Sequence, residues 1–242
     1  MEFTSFSLHI LAMVCMLLDH LWATVVPGNL WLTCLGRIAF PIFAFLLVEG
    51  YFHTRSLKKY LLRLLVFALI SEIPFNLMMG GGLVYPFHQN VLWTFLIGLL
   101  AIRWMEQVRS KHRKPVLTWL AVAGIALLAA LLGLLTFVDY NAGGVLMVLV
   151  FYLFRGKKWY HYLGQLAGMY WINFLLLTGR DLAFTVMGRE LFFPVQGFAL
   201  LALIPIWLYR GKQGYHGKIT KWSFYWFYPV HILILWAILA LR

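Results

Sequence analysis

The chain has 242 residues, 63% of them hydrophobic and 12% charged, with a formal net charge of +12 at pH 7. A soluble domain carries about 25% charged residues, so an ordinary soluble enzyme or a nucleic-acid-binding module is excluded. Apolar runs of roughly 18 residues or more, the signature of transmembrane helices, recur from end to end and leave no extramembrane domain. The predicted fold class is all-α: a polytopic transmembrane bundle of about nine spans, forming a single integral membrane domain over 1–242.

The first predicted span, 6–26, lacks a basic leader and a small-x-small cleavage site, and Asp19 and His20 interrupt its apolar core. It therefore reads as a retained helix, not a signal peptide. His9, Met13, Met16, His20 and Thr24 form a stripe at helical spacing, whereas Asp19 points about 100° away from His20, toward another neighbour. The second span, 31–52, carries Arg37 and Pro41, with the i,i+4 pair Glu49 and His53 near its inner end. Pro41 deprives the Arg37 carbonyl of its helical donor. The third span, 59–79, sets Glu72 and Asn76 on either side of Pro74. The run GGG that follows is a turn and no phosphate cradle, because no GK[ST] comes after it. The fourth span, 90–108, opens on His88, Gln89 and Asn90, and the fifth, 116–137, closes on Asp139, Tyr140 and Asn141. The remaining spans are 143–155, which is short, 159–178, 192–209 and 222–241, the last carrying Tyr228, Pro229 and His231. Cys15 and Cys34 fall within spans and read as core residues.

Charge orders these elements. The connection HTRSLKKYLLR holds Arg55, Lys58, Lys59 and Arg63; the connections RWMEQVRSKHRKP, RGKK and YRGKQGYHGKITK are also basic. The alternate connections, VVPGN, MMGGGLVYPFHQN, DYNAGG and TGRDLAFTVMGREL, carry no such excess. The positive-inside rule then puts the N-terminus in the cytoplasm and the C-terminus outside, with an odd number of spans.

With this topology and a rise of about 1.5 Å per residue, Asp19, His20, Arg37 and Glu72 all fall roughly 4–6 Å outward of mid-membrane. His231 lies near the middle of its span, and His88 and Asn90 cap the layer from outside. Each charge buried there costs on the order of 2.5–3.5 kcal/mol, so these groups must face the bundle interior and pair. Arg37 is the natural partner of Asp19 or Glu72, since its fork fits a carboxylate. The candidate catalytic residues are therefore Asp19, His20, Arg37, Glu72, His88, Asn90 and His231. An imidazole oriented by a carboxylate, with an Arg or freed backbone donors to stabilise an oxyanion, fits acyl transfer. The same groups fit a proton-coupled transporter or flippase, where Asp, Glu and His relay protons. A non-catalytic membrane assembly partner is a third reading. No HExxH, CxxC or paired His/Asp spacing is present, so no metal is expected.

Several long segments resemble the signature of the TraX family, named for a conjugal-transfer protein that acetylates the pilin N-terminus. They are MLLDH (16–20), GRIAFPIFAFLLVEGYFHTR (36–55), SEIPFN (71–76), HQNVLWTFLIGLLAI (88–102), DYNAGGVLMVLVFYLFR (139–155) and FYWFYPVHILIL (224–235), in that order. The chain departs from the family pattern at His9, where Lys is common, and beside Trp22, where the family often has Gly. The resemblance implies a multi-pass protein of the bacterial inner membrane that transfers an acetyl group from acetyl-CoA, or another acyl-CoA. The acceptor would be an amine or hydroxyl of a membrane peptide, lipid or glycan. The basic inner face would then receive the donor through Glu49, His53, Arg55, Lys58, Lys59 and Arg63.

Overall fold

The computed structural model describes residues 3–111, 114–177 and 179–241. His112 and Arg113, from a basic connection, and Thr178, at the end of a predicted span, lie outside the described residues. The chain is mostly helical: α1 Ser5–Thr24, α2 Leu30–Gly36, α3 Ala39–His53, α4 Leu57–Gly80, α5 Val91–Lys111, α6 Pro115–Leu135, α7 Asn141–Leu153, α8 Trp159–Tyr170, α9 Leu203–Trp207 and α10 Lys218–Ala240. A π-helical turn, Trp171–Leu176, extends α8, and a 3-10 segment, Val195–Ala202, leads into α9.

Local chemistry sets the helix starts. Thr4 and Ser7 form a reciprocal capping box at α1. Asn29 accepts from the Trp31 N–H to start α2, Ser56 accepts from Lys59 N–H to start α4, and Pro115 occupies the first turn of α6. Gly81, at φ 69°, closes α4 in the left-handed region that favours glycine.

Among the described residues, six stretches are long and apolar enough to cross a membrane: Ser5–Thr24, Leu30–His53, Leu57–Gly80, Val91–Lys111, Pro115–Leu135 and Ile219–Ala240. Asn141–Leu153 and Val195–Trp207 are apolar but shorter. The buried centre is α3, where Ala39–Phe40–Pro41–Ile42 and Ala44–Val48 are all enclosed by contacts from α1, α5 and α7. On the periphery, α6 exposes Leu117, Trp119, Leu120, Leu127 and Leu128. An apolar surface of that extent suits lipid and not water.

Two features differ from the all-α reading and the broken-helix expectation. Residues 181–194 form an antiparallel hairpin of β1, Asp181–Val186, and β2, Arg189–Pro194, paired from Asp181↔Pro194 to Val186↔Arg189. Its root is tied to the bundle by Arg180, whose guanidinium lies 5.2 Å over the Trp22 ring, and by Phe193 against Phe174 and Phe198. The predicted span 192–209 therefore begins in a strand. The second difference concerns the prolines. Of these three prolines Pro41 accompanies a helix break, at Arg37–Ile38 just ahead of it, while α4 and α10 run unbroken through Pro74 and Pro229. A proline removes one donor, and packing on neighbouring helices can hold the rest of the ladder in place.

Candidate functional site

The break between α2 and α3 is where the polar layer begins. Gly36 ends α2 against the Asp19 side chain, so closely that a Cβ there would overlap it. Arg37 Nη2 donates to Asp19 Oδ1 at 2.5 Å and to Thr33 Oγ1 at 3.0 Å, and Thr33 donates in turn to Asp19 Oδ1 at 2.7 Å. Arg37 Nη1 reaches Gln196 Oε1 at 3.3 Å, and Gln196 Nε2 donates to Asn173 Oδ1 at 2.9 Å. The Asp19–Arg37 pair thus links α1 and α2 to the 3-10 segment and the π turn. Buried charges persist at such depth when paired and hydrogen-bonded in this way.

His20 faces a different helix. Its Nδ1 lies 2.7 Å from Nε2 of His231 on α10, with the two rings nearly parallel. His231 Nδ1 lies 2.6 Å from the Phe227 carbonyl oxygen. A carbonyl only accepts, so His231 Nδ1 carries the proton. In a neutral His231, Nε2 is then the acceptor, His20 Nδ1–H is the donor, and His20 Nε2 keeps the free lone pair.

A third group lies at the connections before α5 and after α6. His88 Nε2 lies 3.3 Å from Asp139 Oδ1, and that hydrogen bond holds the His88 imidazole above its ordinary pKa, against the opposing effect of burial. The two residues meet because the connections before α5 and after α6 pair backbones: Gln89 N–H donates to Phe137 O at 2.8 Å and Asp139 N–H to Gln89 O at 2.9 Å. Phe137, Tyr140 and Asn141 adopt positive φ of 52°, 59° and 45° to make that turn. Glu72 sits beneath it, where its Oε2 accepts from Asn90 Nδ2 and from Trp93 Nε1 at 2.9 Å. Tyr140, stacked on Phe40, stands between these groups. Arg37 is within electrostatic reach of Asp19, Tyr140 and Asp139; His20 of Asp19, Asp139 and Arg37; Tyr228 of Asp139, Glu72 and Tyr140.

A cleft of about 1070 Å³ extends as far as Phe227 and Tyr228, beside this layer. Its mouth holds Arg55, Lys59, Arg63 and Lys221, its flank Glu49 and His53, its walls Phe43, Leu46, Leu47 and Phe95, and its inner end Phe227 and Tyr228. Tyr228 contacts both His20 and His231 ring to ring, with centroids 6.4 and 5.9 Å apart. Glu49 is held by a two-point ion pair with Arg155, at 2.6 and 3.3 Å, and the same carboxylate lines a side pocket of about 240 Å³.

The family model described as "TraX protein" matches residues 6–239. The chain belongs to the TraX family. Among curated relatives of this TraX-family protein, the "Probable fimbrial assembly protein FimC, serogroup H1" of Dichelobacter nodosus is 32% identical over 248 residues, covering 97% of this chain and 95% of that protein. "Protein TraX" of Escherichia coli is 31% identical over 157 residues, covering 60% of this chain and 54% of its own length. No solved structure matches the chain significantly.

Within this TraX-family chain the predicted groups converge, with corrections of partner. Asp19 is committed to Arg37 and Thr33, so it does not orient an imidazole. His231 orients His20, and the imidazole held by a carboxylate is His88, on Asp139. Glu72 pairs with Asn90 and Trp93 and not with Arg37. Of the predicted donor-binding residues, Glu49, His53, Arg55, Lys59 and Arg63 line the cleft and Lys58 does not. Lys58 neighbours Lys59 on α4, and a 100° turn of the helix takes it off the lining face. Thr33, Trp93, Asn173 and Gln196 were not anticipated. Thr33 stands at i,i+4 to Arg37, and Asn173 and Gln196 are single amides in apolar runs, signals that mark intramembrane polar contacts.

Proposed function

We propose that the chain is an acyltransferase of the bacterial cytoplasmic membrane that carries an acyl group, most simply acetyl, from acyl-CoA on the basic side to an amine or hydroxyl in the polar layer. The observation that carries this reading is a cleft running from a cationic mouth to Tyr228, whose ring contacts both His20 and His231. Its volume stands at the upper end of the ~300–1,000 Å³ typical of small-molecule and cofactor sites. Its composition also fits an acyl-CoA substrate: Arg55, Lys59, Arg63 and Lys221 suit phosphates, and the aromatic and aliphatic walls suit a narrow, mostly apolar arm.

In this reading His20 Nε2 takes the proton from the attacking N–H or O–H as the new acyl bond forms. His231 fixes the tautomer and holds His20 Nδ1, while Asp19 and Asp139 supply the negative field that favours the imidazolium. Arg37 Nε–H, buried and without an acceptor among the described residues, is the donor assigned to the oxyanion. The thiolate leaving group recovers the proton from His20.

We infer a multi-pass topology of about nine spans with the N-terminus inside and the C-terminus outside, from the charge alternation of the sequence. Ser5 and Phe6, the Arg55–Arg63 region and the Gly211–Lys221 region all meet at the cleft mouth, while the connections bearing His88 and Asp139 meet at the opposite side. The name of the Dichelobacter nodosus relative points to fimbrial assembly; we infer an acceptor among membrane-inserted fimbrial or pilin-like subunits, with a membrane lipid or glycan as the other acceptor class. Incubation of host membranes with radiolabelled acetyl-CoA should transfer label to one membrane product only when this chain is present. Substrate flux driven by a pH gradient in reconstituted vesicles, with no donor consumed, would instead establish a proton-coupled transporter.

A further inference from the structure

On α4, three buried side-chain oxygens make no hydrogen bond among the described residues, and none is accessible: Ser71 Oγ, whose hydroxyl can itself donate, and the two acceptors Glu72 Oε1 and Asn76 Oδ1. Glu72 and Asn76 stand one turn apart, i and i+4, on one helix face, where side chains are about 5–6 Å apart at Cβ. The assignment of oxygen against nitrogen is fixed by the partners. Asn76 Nδ2 donates to the Leu83 carbonyl at 3.1 Å, and Asn90 Nδ2 donates to the Ala68 carbonyl at 2.9 Å and to Glu72 Oε2. Glu72 Oε1 and Asn76 Oδ1 are therefore both acceptors. Asn76 is only 5% exposed.

None of the salt bridges among the described residues involves Glu72. Its other carboxylate oxygen receives only neutral donors, from Asn90 and Trp93. His88 and Tyr228 are within electrostatic reach of Glu72, and His88 is already bonded to Asp139. A carboxylate at membrane depth without a counter-charge is costly, and a buried acceptor without a donor adds to that cost.

We propose that Glu72 Oε1 and Asn76 Oδ1 form a subsite for a small monovalent cation. Two sources share this chemistry, an alkali ion and a primary ammonium group. The set is all oxygen with one charge, which suits either source and does not suit a transition metal. The subsite stands apart from the acyl-transfer reading, because it predicts binding with no acyl donor present.

The test is thermal unfolding of the full chain in zwitterionic nanodiscs at constant ionic strength, with N-methylglucamine chloride as the bulky reference salt. Sodium chloride, potassium chloride and hexylammonium chloride are compared with it. At saturation at least one of them should raise the midpoint by about 5 °C. Glu72→Gln, which puts an N–H donor where the undonated oxygen now lies, should lose that response without unfolding earlier in the reference salt. A response to an alkali ion identifies an ion site, and a response to hexylammonium alone identifies an amine subsite; either supports the proposal. Equal midpoints for the wild-type chain in all four salts overturn it even if Glu72→Gln does not fold, as does an undiminished response in a folded Glu72→Gln.

Discussion

His20 and Asp19 are sequence neighbours with separate employments. Their 100° offset on a helix is legible from the sequence, and so is the need of each for a partner. The identity of the partner is less so: Arg37 is 18 residues from Asp19 and foreseeable, but His231 is 211 residues from His20 and depends on how α1 meets α10. The His pair makes a kinetic prediction. His20→Ala should lower acyl transfer by about 10²–10⁴-fold with donor binding unchanged. His231→Gln, which keeps an acceptor for His20 Nδ1, should retain more activity than His231→Leu, as read from kcat in steady-state assays. The Asp19–Arg37 pair makes a stability prediction, since its side chains are only 16% and 20% exposed. Removing one partner of a buried pair costs on the order of 3–5 kcal/mol. Asp19→Asn should therefore unfold at markedly lower denaturant than wild type, and Asp19→Asn combined with Arg37→Gln should recover part of the loss. His88 adds a pH dependence with a definite sign. Its folded pKa is raised, so its contribution is fully present below the unfolded value of about 6.5 and is lost as pH rises through the folded value. Thermal midpoints should fall over that window in wild type and stay flatter in Asp139→Asn.

At the scale of elements, hydropathy located the helices but not their interruptions. The break at Arg37–Ile38 was legible from Pro41. The continuity of α4 and α10 through Pro74 and Pro229 was not, because neighbouring helices decide whether a lost donor matters. The hairpin was hidden for a local reason: its turn is Met187–Gly188, with φ of 50° and 76°, and Met is a poor signal for a left-handed position. Met187→Asn should suit that conformation and slow amide hydrogen exchange across β1 and β2, with little change in the global unfolding midpoint. Gly36 is the corresponding device at the break. Gly36→Ala should push Asp19 off Arg37 and Thr33 and reproduce the instability of Asp19→Asn in the same denaturant series.

The whole molecule sets a basic cleft mouth apart from a polar layer, with Tyr228 standing between the cleft and the His20–His231 pair. Basic residues scattered over Arg55–Arg63 and at Lys221 gather at the mouth, and charge alternation along the sequence anticipated that they share a side. The convergence of Asp19, His20, Arg37, Glu72, His88 and His231 in one layer was likewise implied by the cost of isolated charges in lipid. What sequence could not supply was the cleft between the mouth and Tyr228, which needs the packing of α1, α3, α4, α5 and α10 around an open interior. The measurement that tests this account most directly is single-turnover transfer of labelled acetyl from acetyl-CoA, by wild-type and His20→Ala chains in matched nanodiscs containing the native membrane extract. The account predicts rapid transfer by wild type and a loss of at least about 100-fold in His20→Ala with the donor still bound. Undiminished transfer by His20→Ala, or no transfer by a wild-type chain that binds the donor, would contradict it.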